Sequence, residues 1–398
     1  MAKLTPYVLA LNVGSSSIRF SAFQTGHPPM RGLHGKIGRI GAPGTVLTME
    51  DFARNRQENR IIGDLDHASA ASFLINWLGQ QVDLASFAAV GHRVVNGGTV
   101  YRKPIRITPA ILDDLRRISV FAPEHLPGEI ALIDLIRERV PHLPQIACFD
   151  TTFHRNMPRV AKIISLPRRF EATGIERFGF HGLSYAFLMH QMTRLGGAQA
   201  ARGRLIFAHL GNGSSLAAVR DGTCIDTTMG FSPAGGVPMS TRSGDLDPEL
   251  IWYLARTEQM TADGFHRLVN HESGLLGVSQ TSSDLQELLD REPHDIRAAE
   301  AVAFYCYHIK KRIGSYAAAL GGLDTLVFTG GAGENAPVIR ARICEGLDFL
   351  GIALDSANNA TSEPMISAAA SRVAVRVIHT DEEWMIAEAT ISLMGTTT

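Results

Sequence analysis

Neither sign of charge dominates this sequence: Lys and Arg number 38, Asp and Glu 39, and the formal net charge is -1. That balance excludes the global field that draws in nucleic acid or an anionic membrane, while leaving room for a local basic site for a small anion. Cysteine is scarce. The four present (Cys148, Cys224, Cys306, Cys344) lie far apart, which removes the paired spacings of redox and zinc motifs and reads as buried or free thiols in a reducing compartment. No apolar run approaches the roughly 20 residues of a membrane helix. Residues 1–10 lack the charged start, long apolar stretch and cleavage site of a secretory leader, so a cytoplasmic location is expected. No long linker, charge block or low-complexity tract marks a domain boundary. The turn-rich stretch 38–44, with Pro43, reads as a loop and no more.

What is present is enough apolar material for two cores. Of the 398 residues, 45% are hydrophobic and 19% charged, which suits two domains of roughly 150–200 residues each. An apolar run over 8–11, the turn-forming Asn12-Val13-Gly14-Ser15-Ser16-Ser17 and a second run over 18–23 read as strand–loop–strand. The pattern returns near the middle: apolar 205–208, then His209-Leu210-Gly211-Asn212-Gly213-Ser214-Ser215, then apolar 216–219. Two such units suggest a duplicated architecture in which each half supplies a loop to a shared cleft. Helical patterns separate them. Thr108-Pro109 caps a helix with Leu112, Leu115 and Ile118 on one face; Ile133, Ile136 and Val140 repeat the spacing before Pro141; Trp384, Ala387, Ile391 and Met394 line a final helix. Strands mixed with helices in this way give an α/β protein.

Three glycine-containing stretches follow apolar runs: the two loops above and Thr329-Gly330-Gly331-Ala332-Gly333-Glu334-Asn335. Glycine lets backbone amides approach a phosphate with no Cβ in the way, and Ser and Asn add donors. None matches a P-loop or dinucleotide fingerprint. Singly each is an ordinary turn; three together at strand ends point to phosphate binding. Arg93 and Arg242 sit among glycine-rich turns, where a guanidinium either clamps a phosphoryl group or carboxylate or forms a surface ion pair. His181 lies between Phe180 and Gly182, where it is either a functional group or a satisfied loop residue. Asp150 ends the apolar 146–149 run, where α/β proteins place catalytic acids. Glu382 precedes the last helix and, on the residues alone, reads as ordinary helix N-terminal charge.

Together these motifs resemble the acetate kinase family, within the actin, hexokinase and sugar-kinase fold group, from Val8 to about Ala389. The resemblance rests on Asn12 with Ser15 and Ser17, His92-Arg93-Val94-Val95, Phe149-Asp150-Thr151-Thr152-Phe153-His154, Gly179-Phe180-His181-Gly182, the 209–213 and 331–335 stretches, Thr241-Arg242-Ser243-Gly244-Asp245 and Asp381-Glu382-Glu383. It implies duplicated actin/hexokinase-like (ribonuclease H-like) α/β domains around a central nucleotide cleft. The expected domains are 1–150 and 151–384, with a C-terminal helix 385–398 packing back on the first. The implied reaction is reversible, direct in-line transfer from ATP to acetate or another short acid such as propionate, giving acyl phosphate and ADP. The implied catalytic set is Arg93, Asp150, His181 and Arg242, and the acid pocket is Arg93, Val95, Phe180 and Pro233. ATP would meet Asn12, Ser15, Ser17, Arg19, His209, Leu210, Gly211, Asn212, Gly213, Asp284, Leu285, Gln286, Gly331, Ala332, Gly333, Glu334 and Asn335. Magnesium, with manganese as a substitute, would be placed by Asn12 and Glu382. A homodimer without nucleic-acid or membrane partners is implied as well. The chain departs from the family pattern at Arg19 (usually Lys), Leu183 and Tyr185 (usually Thr and His), Gln286 (usually Arg), and Glu124 and Leu126 (usually Leu and Asn). Glu124 and Gln286 keep open a related kinase with another acid or phosphoryl donor. A catalytically silent nucleotide-binding regulator of the same fold is a third reading, against which the full set of Arg93, Asp150, His181, Arg242 and Glu382 argues.

Overall fold

A computed structural model describes residues 6–395 apart from Ser15, Ala53 and Asp83. Ser15 of the first glycine loop and residues 396–398 of the expected final helix therefore lie outside the described residues. The chain divides into two compact units: residues 1–152, 182–187 and 381–398 form the first, and 153–181 with 188–380 form the second.

The first unit is built on eight strands: β1 (Tyr7–Val13), β2 (Ser17–Gln24), β3 (Met30–Gly38), β4 (Thr45–Asp51), β5 (Arg56–Gly63), β6 (Phe87–Val94), β7 (Ile105–Arg106) and β8 (Gln145–Phe149). They are ordered β5-β4-β3-β2-β1-β6-β8-β7. Strands β1 to β5 form an antiparallel meander, and β1, β6 and β8 run parallel. Side chains alternate along β1, so both faces must be covered. Leu9 and Leu11 pack with Leu74, Trp77, Leu78, Leu132 and Ile136 of helices His67–Gln81 and Leu126–Arg139. Val8 and Ala10 pack instead with Ile386, Ala387 and Ile391 of the terminal helix Glu382–Gly395. That helix lies close on β6, because a Cβ on Gly91 would run into Thr390 Oγ1 and Ile386 Cγ2.

The second unit holds β9 (Arg204–Leu210), β10 (Ser214–Arg220), β11 (Thr223–Thr227), β12 (Thr325–Thr329) and β13 (Ala374–Val377), ordered β11-β10-β9-β12-β13. Here too the first strand, β9, pairs antiparallel with the next, β10, and parallel with a later one, β12. The topology of the β3-β2-β1-β6-β8 portion of the first sheet is thus repeated. Helix Ile296–Leu320 covers one face, with Tyr305, Ile309 and Ile313 buried against Ile206, Ala208 and Leu216.

Several local expectations are corrected. Arg93, expected among glycine-rich turns, lies inside β6, which runs on to Val94. The middle glycine loop shrinks to residues 211–213, because His209 and Leu210 end β9 while Ser214 and Ser215 begin β10. The third glycine stretch is a strand-to-helix turn, with helix Gly330–Asn335 following β12 directly. The terminal helix starts at Glu382, three residues earlier than 385, and its buried stripe is Glu383, Ile386, Ala387, Thr390 and Ile391. Trp384 and Met394 pack only partly against it.

Candidate active site

In the first unit the ends of β1, β6 and β8 set the geometry. Asn12, next to last in β1, is 8% exposed. Its Nδ2 donates to Glu382 Oε2 at 2.8 Å and to Glu383 Oε1 at 2.9 Å, tying the first strand to the first residues of the last helix. Arg19 stands opposite Asn12 in the β1–β2 register and is exposed. Ser17 opens β2, and its carbonyl accepts from Gly14 N at 2.8 Å.

Because β6 and β8 are parallel neighbours, Arg93 and Asp150 meet at the same end of the sheet: Nη2 donates to Asp150 Oδ2 at 3.0 Å. Nη1 donates to Val13 O at 3.1 Å and to Glu129 Oε1 at 3.3 Å. Asp150 is fully buried. Its Oδ1 accepts from Leu183 N at 3.2 Å and its carbonyl from Gly182 N at 2.9 Å, anchoring the start of helix Gly182–Arg202.

Burial penalises the charged forms of Arg93, Glu129, Glu382 and Glu383. It works against the Arg93 guanidinium, but Asp150, Glu129 and Glu382 outweigh it and hold Arg93 well above the ordinary arginine range. Burial raises Glu129 to about 7, with Arg93 and the Val95 amide pulling the other way. Glu382 is raised by burial and by Asp150, and Glu383 by burial and by Glu382. Carboxylates therefore exceed the cationic charge available to them. Among the described residues, no three His, Cys, Asp or Glu side chains form a cage for a metal ion.

The second unit gathers a different set. His181 adopts a left-handed backbone (φ 58°) just before Gly182, its ring stacks on His209 at 4.1 Å between centroids, and Nδ1 lies 2.9 Å from Ser215 Oγ. Phe180, before it, is buried, and its carbonyl is 2.9 Å from His154 Nε2. A Cβ on Gly213 would come within 3.3 Å of both Arg242 Nη1 and His181 Nε2, so glycine there keeps guanidinium and imidazole side by side. Arg242 Nη1 also donates to Pro233 O at 3.3 Å, and Ser240 N donates to Asn212 O at 3.3 Å, linking the arginine's segment to the glycine loop.

The two glycine stretches of this unit adjoin. Thr329 pairs with His209 in the β12–β9 register, and a Cβ on Gly211 would lie 3.8 Å from Gly331 N. Gly330 (φ 76°) is required, because a side chain there would meet Leu210 O at 2.8 Å. Glu334 Oε1 accepts from Thr329 Oγ1, Gly330 N and Thr380 N, and Asn335 Nδ2 donates to Gly331 O at 2.9 Å. Gly331 and Asn212 face solvent, Ala332 is half-buried and Gly333 buried.

Asp284, Leu285 and Gln286 stand at the start of a helix of this unit. Asp284 caps helix Leu285–Arg291 through Gln286 N and Glu287 N, Gln286 Nε2 bonds Asp290, and Leu285 packs on the core. Val95 is buried in the first unit, with its amide 2.9 Å from Glu129 Oε2. Glu124 is exposed and Leu126 buried. Two acids escaped the sequence reading. Glu383 lay in a quoted segment yet was given no role. Glu129 could have been found as an acid three residues after buried Leu126 and four before buried Ile133, on the apolar side of its helix.

The Acetokinase family model matches residues 7–388. An acetate kinase of Rhodopseudomonas palustris is 40% identical over 390 residues, covering 96% of this chain and 97% of that protein. The crystal structure of Porphyromonas gingivalis acetate kinase has a TM-score of 0.86 at 35% identity, over 98% of this chain and 100% of that one. A propionate kinase from Francisella tularensis gives a TM-score of 0.89 at 32% identity, over 96% and 98%. The duplicated actin- and hexokinase-like α/β architecture expected from the sequence is the one these structures share. Likeness at this level, running through the strand ends that carry Asn12, Arg93, Asp150 and His209, assigns the chain to the acetokinase family.

Proposed function

We propose that this protein is a kinase that transfers the γ-phosphoryl group of ATP to the carboxylate of acetate, or of a similar short acid such as propionate, giving an acyl phosphate and ADP reversibly. The observation that carries this reading beyond the family is the placing of Arg242 Nη1 and His181 Nε2 together over Gly213. A guanidinium and an imidazole side by side are suited to the equatorial oxygens of a phosphoryl group in flight. A carboxylic acid with a pKa of about 4 is already ionised at neutral pH, so the nucleophile needs no base. The difficulty is bringing an anion to a polyanion. Arg93, Arg242 and His181 supply the countercharge and donors, and Asp150 fixes Arg93. Val95, Phe180 and Pro233 wall the acid's alkyl end.

The 211–213 and 331–335 segments, with Asn12, Ser15, Ser17, Arg19, His209 and Leu210, would hold the nucleotide's phosphates, and Asp284, Leu285 and Gln286 its adenosine. The oxygens of Glu382 and Asn12 are hard donors beside carboxylates that burial has raised, which fits a magnesium ion shared with the nucleotide, manganese substituting. When bound, the ion neutralises charge on the phosphates. A cytoplasmic location is part of this reading. No helix of the described residues is long and apolar enough to cross a membrane. A homodimer belongs to the same reading. Helix Glu249–Thr257 buries none of its residues and leaves Trp252 58% and Tyr253 56% exposed.

A hydroxylamine trap run with ATP, magnesium and a panel of short acids tests the proposal. Hydroxamate should form with acetate and propionate and should vanish without ATP. Tight ATP binding with no hydroxamate from any acid would instead favour a silent nucleotide-binding regulator.

A further inference from the structure

None of the roles above uses the carboxylate of Glu129. It is 1% exposed, and its oxygens point two ways: Oε1 to Arg93 Nη1 at 3.3 Å, Oε2 to Val95 N at 2.9 Å. Arg93 is held on its other sides by Asp150 and by the Val13 carbonyl. One buried carboxylate thus fixes a guanidinium and the backbone two residues further on. We propose that Glu129 is a positioning residue of the phosphoryl transfer, whose ionised carboxylate bridges Arg93 to Val95 and keeps the phosphoryl contact in register with the acid's pocket. This rests on the kinase reading of the same site.

The bridge depends on protonation. An ionised carboxylate accepts through both oxygens, whereas the protonated acid turns one oxygen into a donor. Neither the Val95 amide nor the Arg93 guanidinium can accept, so protonation breaks one arm. The charged groups acting on Glu129 are Arg93 on β6 and Asp150 after β8, while Glu382 of the terminal helix acts on Arg93 in turn. Burial raises Glu129 to about 7 against the pull of Arg93 and the Val95 amide, so the bridge is broken below that pH and made above it. A purely structural ion pair would affect stability without shaping the rate profile.

The test is the pH dependence of kcat/KM for acetate, read with the hydroxamate trap from about pH 5.5 to 8.5, with thermal midpoints on the same preparations. The wild-type protein should gain activity through about pH 7. Glu129→Gln, with one acceptor oxygen, should lose that rise and stay roughly ten- to a hundredfold low at alkaline pH, the scale of a displaced positioning group. Glu129→Asp should keep a rise with a displaced midpoint. A folded Glu129→Gln protein that retains the wild-type rise, or matches wild-type activity at alkaline pH, overturns the proposal. If Glu129→Gln does not fold, a flat wild-type profile or an unmoved midpoint in Glu129→Asp overturns it. Wild-type protein that makes no hydroxamate at any pH speaks against the kinase reading itself, not against Glu129.

Discussion

The amide of Asn12 donates to Glu382 Oε2 at 2.8 Å across 370 positions of sequence, and to Glu383 at 2.9 Å. Two half-buried or buried acids thus share one neutral donor. Asn12→Ala strands both, and an unsatisfied buried acceptor costs about 1–3 kcal/mol. The urea midpoint should fall accordingly near neutral pH, and by less under acid conditions, where both raised carboxyls are protonated. An equal loss at both pH values would show that the amide's packing matters and its hydrogen bonds do not.

The two arginines should respond differently to truncation. Arg242→Ala should keep a near-normal thermal midpoint and lose roughly 100- to 1000-fold in turnover, as for removal of one preorganised charge contact. Arg93→Ala leaves Glu129 and Asp150 buried without their countercharge, and breaking such a pair costs about 3–5 kcal/mol. Its loss of activity should therefore come with a lowered midpoint. Lysine at 242 should recover only part of the rate, because it lacks the planar fork. Near-normal turnover in well-folded Arg242→Ala would end its catalytic assignment.

His92 gives stability an acid limb. It is buried against Gln145 Oε1 at 2.7 Å, and burial lowers it to about 4 from the ordinary imidazole value of 6.5. The folded state binds fewer protons than the unfolded between those values, so stability is intact above 6.5 and declines as pH falls toward 4. The decline should be about 2–3 kcal/mol by pH ~4.5. Glu129 acts with the opposite sign, its contribution falling as pH rises from the ordinary carboxyl range to about 7. Urea midpoints of wild type and His92→Gln at matched pH values separate the two: their difference should shrink as pH falls. A constant difference would mean that His92 does not titrate in this window.

Gly213→Ala adds a single methyl within 3.3 Å of both Arg242 Nη1 and His181 Nε2. The backbone there needs no left-handed conformation, so folding should be little changed. The two side chains must each give way by a few tenths of an ångström, and turnover should drop about tenfold or more. Unchanged turnover would mean that their spacing is not part of the chemistry.

The repeated strand–loop–strand pattern was legible because each loop follows a continuous apolar run buried on both faces, as Val8 to Leu11 and Leu205 to Ala208 show. Arg93 and His181 were legible as chemistry-bearing types near glycines, and Asp150 as an acid ending an apolar run. Glu129 was not, because nothing local distinguishes a buried helical acid from an exposed one; only the fold sets it beneath Arg93. The short third loop was misread for a similar reason. Thr329 to Asn335 turns straight into a helix because Glu334 caps Gly330 N from inside the turn, and glycine-rich composition hides that bond.

The terminal helix against β1 has a consequence for biosynthesis. A chain emerging from the ribosome completes all eight strands of its first sheet long before it makes residues 382–395, so Val8, Ala10, Phe23 and Ala89 must wait with one face bare. The second unit's sheet and its covering helix are finished earlier in synthesis, at β13. The order of maturation is therefore the reverse of the order of translation. The half made first is the last to close, and a ribosome that stops just short of Glu382 releases a protein whose second unit is whole while Asn12 has neither of its acidic partners.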